Sequence, residues 1–349
     1  MQNNIQVKDV EFSEGVKKTQ RERLANRLSL IGKDQLVEEI AYTWFNRLIA
    51  LRFMEVNGYI DTGVRVLSNP SKDISEPEII SKALSVNLTV DKEKIYNFQD
   101  NNDHEGLFKY LFITQCNDLN KDLPFLFEKI GDENILLLPD HLLNTSSVIH
   151  KLVTDIPEED WKEVEIIGWL YQYYVSERKD KLIKAKKKYK TNDIPPVTQL
   201  FTPKWIVKYM VENSLGRYWI ESHPEHKADL VKNWEFFIEN RDEKSKELIK
   251  ELENKDLKIE DIKIYDPATG SGHILVYAFE LLFKIYQKLG YTKSEIAKSI
   301  LQNNLFGLDI DNRATQLAKF ALLMKGRSVD EKIFSKQIIP NIYEIKNGK

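Results

Sequence analysis

The chain has 349 residues, 42% of them hydrophobic and 30% charged, with a formal net charge of −3. That length accommodates two domains, and the near-neutral balance excludes a globally basic coat protein for nucleic acid while leaving room for a local basic face. One cysteine, Cys116, excludes an internal disulfide and cysteine-rich zinc modules; His223 and His226 are the one close histidine pair and read as surface residues in a polar segment, so no metal is expected.

Residues 1–15 form a polar lead-in without an apolar signal core, and no apolar run is long enough to span a membrane. A soluble, cytoplasmic protein is expected. A helical pattern runs from Val16 to a break at Gly32. The next helix spans Lys33 to Val56. Its apolar residues Leu36, Val37, Ile40, Ala41, Trp44, Phe45, Leu48, Ile49 and Phe53 have the spacing of a helix buried over a broad face. Asn57-Gly58 ends it, glycine suiting a left-handed cap. Residues 61–105 are polar, with one short helix expected at Ser75–Leu84. Buried helical pieces are expected at Leu107–Cys116, Phe125–Ile130 and Ser147–Val153. A stronger amphipathic helix is expected at Trp161–Tyr174, its apolar set including Val164, Ile167, Trp169, Leu170, Tyr173 and Tyr174.

Ser176–Lys190 carries eight Lys or Arg against two acids, and Pro195-Pro196 then breaks any helix. The run fits a solvated helix face or linker; it also fits a phosphate-contacting strip. Here the reading places a boundary, between an α-helical N-terminal domain with a basic linker (1–190) and a second domain (191–349). Thr202-Pro203 is a helix start, a cap residue followed by proline at the first helical position. Residues 223–263 read as a charged surface insertion, helical near Lys244–Leu252. Strands are expected at Ile262–Tyr265, Asn304–Leu308 and Ile338–Ile345, with helices at Gly272–Leu289, Thr292–Gln302 and Asn312–Met324 between them. That alternation predicts a parallel, doubly wound sheet.

The chemistry sits at the carboxyl ends of the first two strands, where parallel sheets bind ligands. In Asp266-Pro267-Ala268-Thr269-Gly270-Ser271-Gly272, Pro267 holds Asp266 extended at the strand end. Gly270 and Gly272 let backbone approach a ligand or adopt positive φ, and the helix after them offers free N–H groups. Asp309, at the end of the second strand, suits two ribose hydroxyls. Ile310 offers an apolar face to a purine, and Asp311 suits the N-cap of the next helix. Asp309 comes two helices after Asp266, far beyond the roughly 20-residue spacing of a dinucleotide fingerprint, and no GxxxxGK[ST] is present.

These strings resemble a known family. DPATGSGHILVYAF resembles motif I of N6-adenine DNA methyltransferases, TQLFTPKWIV resembles their motif X and NLFGLDIDNRATQLA their motif II. EEIAYTWFNRLIALRFMEVNGY and EIIGWLYQYYVSERKDK resemble the PglX-type phage-defence methyltransferases of BREX systems. The resemblance implies the first part of an α/β, Rossmann-like, S-adenosylmethionine-dependent domain following the α-helical one. It implies that Thr202 and Pro203, with Asp266, Pro267, Ala268, Gly270 and Gly272, line the methionine end of S-adenosylmethionine, while Asp309 takes the ribose and Ile310 packs on adenine. It implies methyl transfer to N6 of a flipped adenine in duplex DNA, in phage defence or restriction-modification, with other defence proteins as possible partners.

Such enzymes also use [DNS]PP[YFW] to hold and stack the target base. Asn69-Pro70 is followed by Ser71, and Pro195-Pro196 by Val197, so neither fits. No catalytic residue is therefore assigned, and the chain is expected to be an N-terminal portion of a longer enzyme, inactive by itself. The alternative is a non-catalytic module binding DNA or partner proteins.

Overall fold

The computed structural model describes residues 14–71, 73–128, 137–190 and 193–345. The chain divides into two compact units, Met1–Glu163 and Val164–Lys349.

In the first unit, α1 (Glu14–Ile31) and α2 (Lys33–Asn57) meet at Gly32, whose φ is 81°. Gly58 ends α2 in the left-handed conformation, as its position predicts. From Asn46 to Val56 every residue of α2 is buried, so its second half is a core rod, while its first half is wetted on one side and leaves Val37 and Ala41, expected on the buried face, exposed. Around it come α3 (Glu78–Ser81), α4 (Lys92–Asp100), α5 (His104–Asp118) and α6 (Val148–Thr154). Asp91, Asp103 and Ser147 cap α4, α5 and α6 through their side chains. The α4 helix lies in the segment expected to hold one short helix near Ser75–Leu84. Part of the Phe125–Ile130 expectation falls outside the described residues.

Two opposite charges buried near the end of α2 are paired. Arg52 Nη1 donates to Glu55 Oε1 and to Ser68 Oγ, both at 2.8 Å. Glu55 Oε2 accepts from the backbone N–H groups of Val66 and Leu67, each at 2.8 Å. Glu158 joins through Arg52 and Arg65. Burying an ion pair is tolerable only with such added hydrogen bonding.

In the second unit, α7 (Ile166–Ala185) leads into α8 (Ile194–Thr198) and α9 (Lys204–Val211), which continues through a π turn at Glu212–Gly216 into α10 (Arg217–Ser222). Then come α11 (Lys227–Val231), α12 (Glu243–Leu252), β1 (Ile264–Asp266), α13 (His273–Lys288), α14 (Lys293–Ser299), β2 (Leu305–Asp309), α15 (Asn312–Val329) and β3 (Asn341–Glu344). The strands are parallel in the order β1-β2-β3, with Asp266 opposite Gly307 and Gly307 opposite Ile342. One sheet face is packed: a Cβ on Gly307 would stand 2.8 Å from Ile342 Cδ1 and 3.2 Å from Leu275 Cδ1 of α13. The other face presents Tyr265 and Tyr343, both more than half exposed. The parallel sheet is as expected; among the described residues its double winding is not seen, because α13 and α15 share the same face.

Three local expectations need correction. The 190/191 boundary falls inside the second unit, because α7 is fastened to that unit and runs on into the basic stretch as far as Ala185. The buried side of α7 is Ile167, Gly168, Tyr171 and Val175, while Trp169 and Tyr173 face out. His223 and His226 are half-buried rather than open surface residues: their rings pack against Trp219, with centroids at 4.1 and 5.8 Å, and Trp219 Nε1 donates to His226 Nδ1. No helix among the described residues is long and apolar enough to cross a membrane.

Candidate functional site

The turn after β1 is tied onto β2. Thr269 donates to Leu308 O through both its N–H (2.9 Å) and its hydroxyl (3.1 Å). Gly270 takes φ 54° and Gly272 φ 92°, conformations that L side chains rarely adopt. The two glycines differ in use. A Cβ on Gly272 would press on Ala318 Cβ at 3.1 Å, so this glycine lets α13 and α15 approach. A Cβ on Gly270 would meet just the Gln199 amide, at 3.5 Å.

Asp309 closes the turn from the β2 side. Its Oδ2 accepts from Gly270 N–H at 2.8 Å and its Oδ1 from Asp311 N–H at 2.9 Å. Asp266 is buried and accepts from Ala268 N–H at 3.1 Å. Burial raises its pKa above the usual carboxylate value, and the charge of Asp309 adds to the rise. Among the described residues neither carboxylate has a cation partner. Pro267, Ala268 and Ile310 are exposed beside them. Asp311 caps α15 through Arg313 N–H, as its position predicts.

The expected helix start at Thr202-Pro203 shifts by one residue. Pro203, at ψ 142°, occupies the capping position, and α9 begins at Lys204 without a side-chain cap. Thr202 is half-buried and Pro203 exposed. The contacts that reach the turn come from their neighbours. Besides Gln199, the Phe201 ring lies edge-on to His273, with centroids 4.0 Å apart, and against Trp169 at 3.8 Å.

The packing of a helix against this turn is not expected from the sequence. Gly168 of α7 leaves no room for a Cβ against His273 and Ser271 at the start of α13. One turn on, the buried Tyr171 donates its hydroxyl to Asp311 Oδ2 at the start of α15. One helix thus braces both helix N-termini at the carboxyl end of the sheet. Burial pushes the His273 imidazole down to about 4, against the opposing influence of Glu165. A signal for this was present: a lone glycine inside a helical pattern implies close packing.

Residues 239–342, which hold all of this sheet but the last residues of β3, match the family model "MmeI, DNA-methyltransferase domain". The chain is 43% identical over 334 residues to the adenine-specific methyltransferase BrxX of Escherichia coli O9:H4 (strain HS), an alignment covering 94% of the chain and 27% of that protein. It is 46% identical over 332 residues to the adenine-specific methyltransferase PglX of Lacticaseibacillus casei (strain Zhang), covering 89% and 27%. Over about nine tenths of its length the chain is thus similar to adenine-specific methyltransferases of the BrxX and PglX kind. A putative type II restriction enzyme and methyltransferase of Methanocaldococcus jannaschii is 25% identical over 345 residues. The chain spans about a quarter of the length of these curated relatives.

Proposed function

We propose that this chain is the methyl-donor-binding part of a DNA adenine N6-methyltransferase that uses S-adenosylmethionine. The observation that carries the reading is Asp309, a strand-end carboxylate bonded by two backbone N–H groups and, among the described residues, by no cation. An ionised carboxylate accepts about four hydrogen bonds. Its remaining lone pairs suit the two hydroxyls of a ribose, and the exposed Ile310 beside it suits the flat face of adenine. Gly270 keeps the turn free of the side chain that would fill it. Asp266, buried and facing the charge of Asp309, favours positive charge nearby, and the methionine end of the donor brings an ammonium and a sulfonium. Gln199, Thr202 and Pro203 would border that end.

Bound there, the donor supplies an electrophilic methyl group on a good leaving group. The protein's task is then placement and charge. The base-holding half is a separate matter. Without a [DNS]PP[YFW] string in its sequence, the chain by itself is expected to bind donor and to transfer nothing.

Calorimetric titration with S-adenosylmethionine, NAD and ATP tests the site. Saturable heat with S-adenosylmethionine alone is expected, and NAD or ATP binding of equal strength overturns the reading. Incubation with labelled S-adenosylmethionine and duplex DNA tests the rest: label in the DNA would sink the expected inactivity.

A further inference from the structure

We propose that the end of α7 and the residues after it, Lys184–Lys190, form an arm that contacts the phosphates of duplex DNA beside the donor crevice; this rests on the reading above.

The basic run divides in two. Its inner cations are committed to the fold: Arg178 pairs with Asp193, and Lys179 donates to the Gln199 carbonyl at 2.7 Å. Lys181 pairs with Glu177. Beyond them Lys184, Lys186, Lys187, Lys188 and Lys190 are all exposed, and among the described residues none forms an ion pair. The inner bonds fix the arm to the Gln199 segment, and the outer charges project from it. Lys186 even occupies the left-handed cap of α7, at φ 50°, where glycine would end the helix at least cost. Tyr189, 43% exposed among these lysines, adds a hydroxyl of the kind that donates to phosphates.

Position makes the run more than a solvated face. The same helix packs on the starts of α13 and α15 at Gly168 and Tyr171. At 1.5 Å per residue, Lys184 stands about 20 Å along the axis from Tyr171. A duplex rises roughly 3.4 Å per base pair, so that separation is about the length of six base pairs. A single duplex can engage both. Phosphate contacts of this kind set register and orientation and read no sequence.

The test is binding of the chain to a fluorescein-labelled duplex, followed by anisotropy across a salt series. Lys184→Gln, Lys186→Gln, Lys187→Gln, Lys188→Gln and Lys190→Gln are combined in one variant, whose fold is checked by circular dichroism. Affinity at low salt is expected to fall at least about tenfold, and the slope of log affinity against log salt to shallow by about 0.9 for each phosphate that the variant no longer neutralises. The matching five-fold Lys→Arg variant is expected to keep both. Unchanged affinity and slope in the glutamine variant, or no wild-type affinity for the duplex at low salt, overturns the proposal. Donor titration of the same wild-type preparation separates the two readings. A chain that binds duplex through these lysines but no S-adenosylmethionine refutes the donor site. One that binds S-adenosylmethionine with lysine-independent duplex affinity refutes the arm.

Discussion

A buried carboxylate of the first unit and the strand-end pair of the second are treated in opposite ways. In the first, Glu55 receives Arg52, Ser68 and two backbone N–H groups, so its acceptor capacity is filled. In the second, the half-buried Asp309 receives two backbone N–H groups and the buried Asp266 one, with no cation among the described residues. A saturated buried carboxylate is architecture, because every direction it points is already occupied. An under-saturated pair, close enough that one raises the pKa of the other, stores unfavourable charge that a cationic, hydroxyl-bearing ligand relieves. Glu212 of the second unit is also buried, accepts from Phe236 N–H and the Tyr277 hydroxyl and has no cation among the described residues, so it is their place at the strand ends that sets Asp266 and Asp309 apart.

The largest expected effect breaks the staple. Arg52→Met leaves Glu55 buried and bound to backbone but without its cation. Removing one partner of such a pair costs about 3–5 kcal/mol. Urea unfolding followed by circular dichroism reads the loss. A change no larger than that of an exposed ion pair, about 1 kcal/mol or less, would show that Glu55 is not saturated in the way described.

Next comes a group that sharpens the second half of the contrast. His273 sits in the crevice wall with its pKa depressed from 6.5 to about 4. Between those values the unfolded chain binds the proton and the folded chain does not. Stability from this residue is therefore fully present above about pH 6.5 and lost as pH falls toward 4. The shift corresponds to about 3 kcal/mol. The stability difference between wild type and His273→Gln, measured from pH 7 down to 4, should shrink by that order. A difference independent of pH would mean that the imidazole is not held neutral by burial.

Asp309→Ala follows. It removes charge-assisted bonds worth about 1.5–3 kcal/mol, roughly ten- to hundredfold in S-adenosylmethionine affinity. Asp309→Asn keeps an acceptor for the Gly270 N–H and should lose less. Calorimetry giving all three proteins the same affinity would remove the ribose assignment.

Much of this is legible in the chain itself. The helix Lys33–Asn57 follows from its apolar spacing, and the glycine turn, Asp309 and the Asp311 cap follow from residue types that few other settings require. The orientation of α7 does not follow. IIGWLYQYYV is apolar nearly all round, so periodicity cannot choose between Trp169 with Tyr173 and Tyr171 with Val175. The choice is made by His273 and Asp311, more than a hundred residues later, which accept Gly168 and Tyr171 as neighbours. For the same reason sequence pattern alone assigns the wall of the crevice to the other domain. The histidine pair is misplaced by its polar neighbours in sequence, since the ring it packs on, Trp219, lies on the preceding helix turn.

The smallest effect is the one most specific to a site. Asp266 has a folded-state pKa raised above its unfolded value, first by burial and then by Asp309. In the window just above the ordinary carboxylate range, the folded chain therefore binds more protons than the unfolded one. Stability from this residue falls as pH rises through that window, so at neutral pH the ionised Asp266 opposes folding. Asp266→Asn keeps an acceptor for the Ala268 N–H and removes the charge. It should raise the melting temperature of the ligand-free protein at pH 7 and lower its affinity for S-adenosylmethionine. A structural carboxylate like Glu55 would show the reverse on the first count, losing stability when neutralised. If Asp266→Asn melts lower than wild type, the two carboxylates differ in degree and not in kind, and the strand-end pair loses its claim to be a site kept open for a cation.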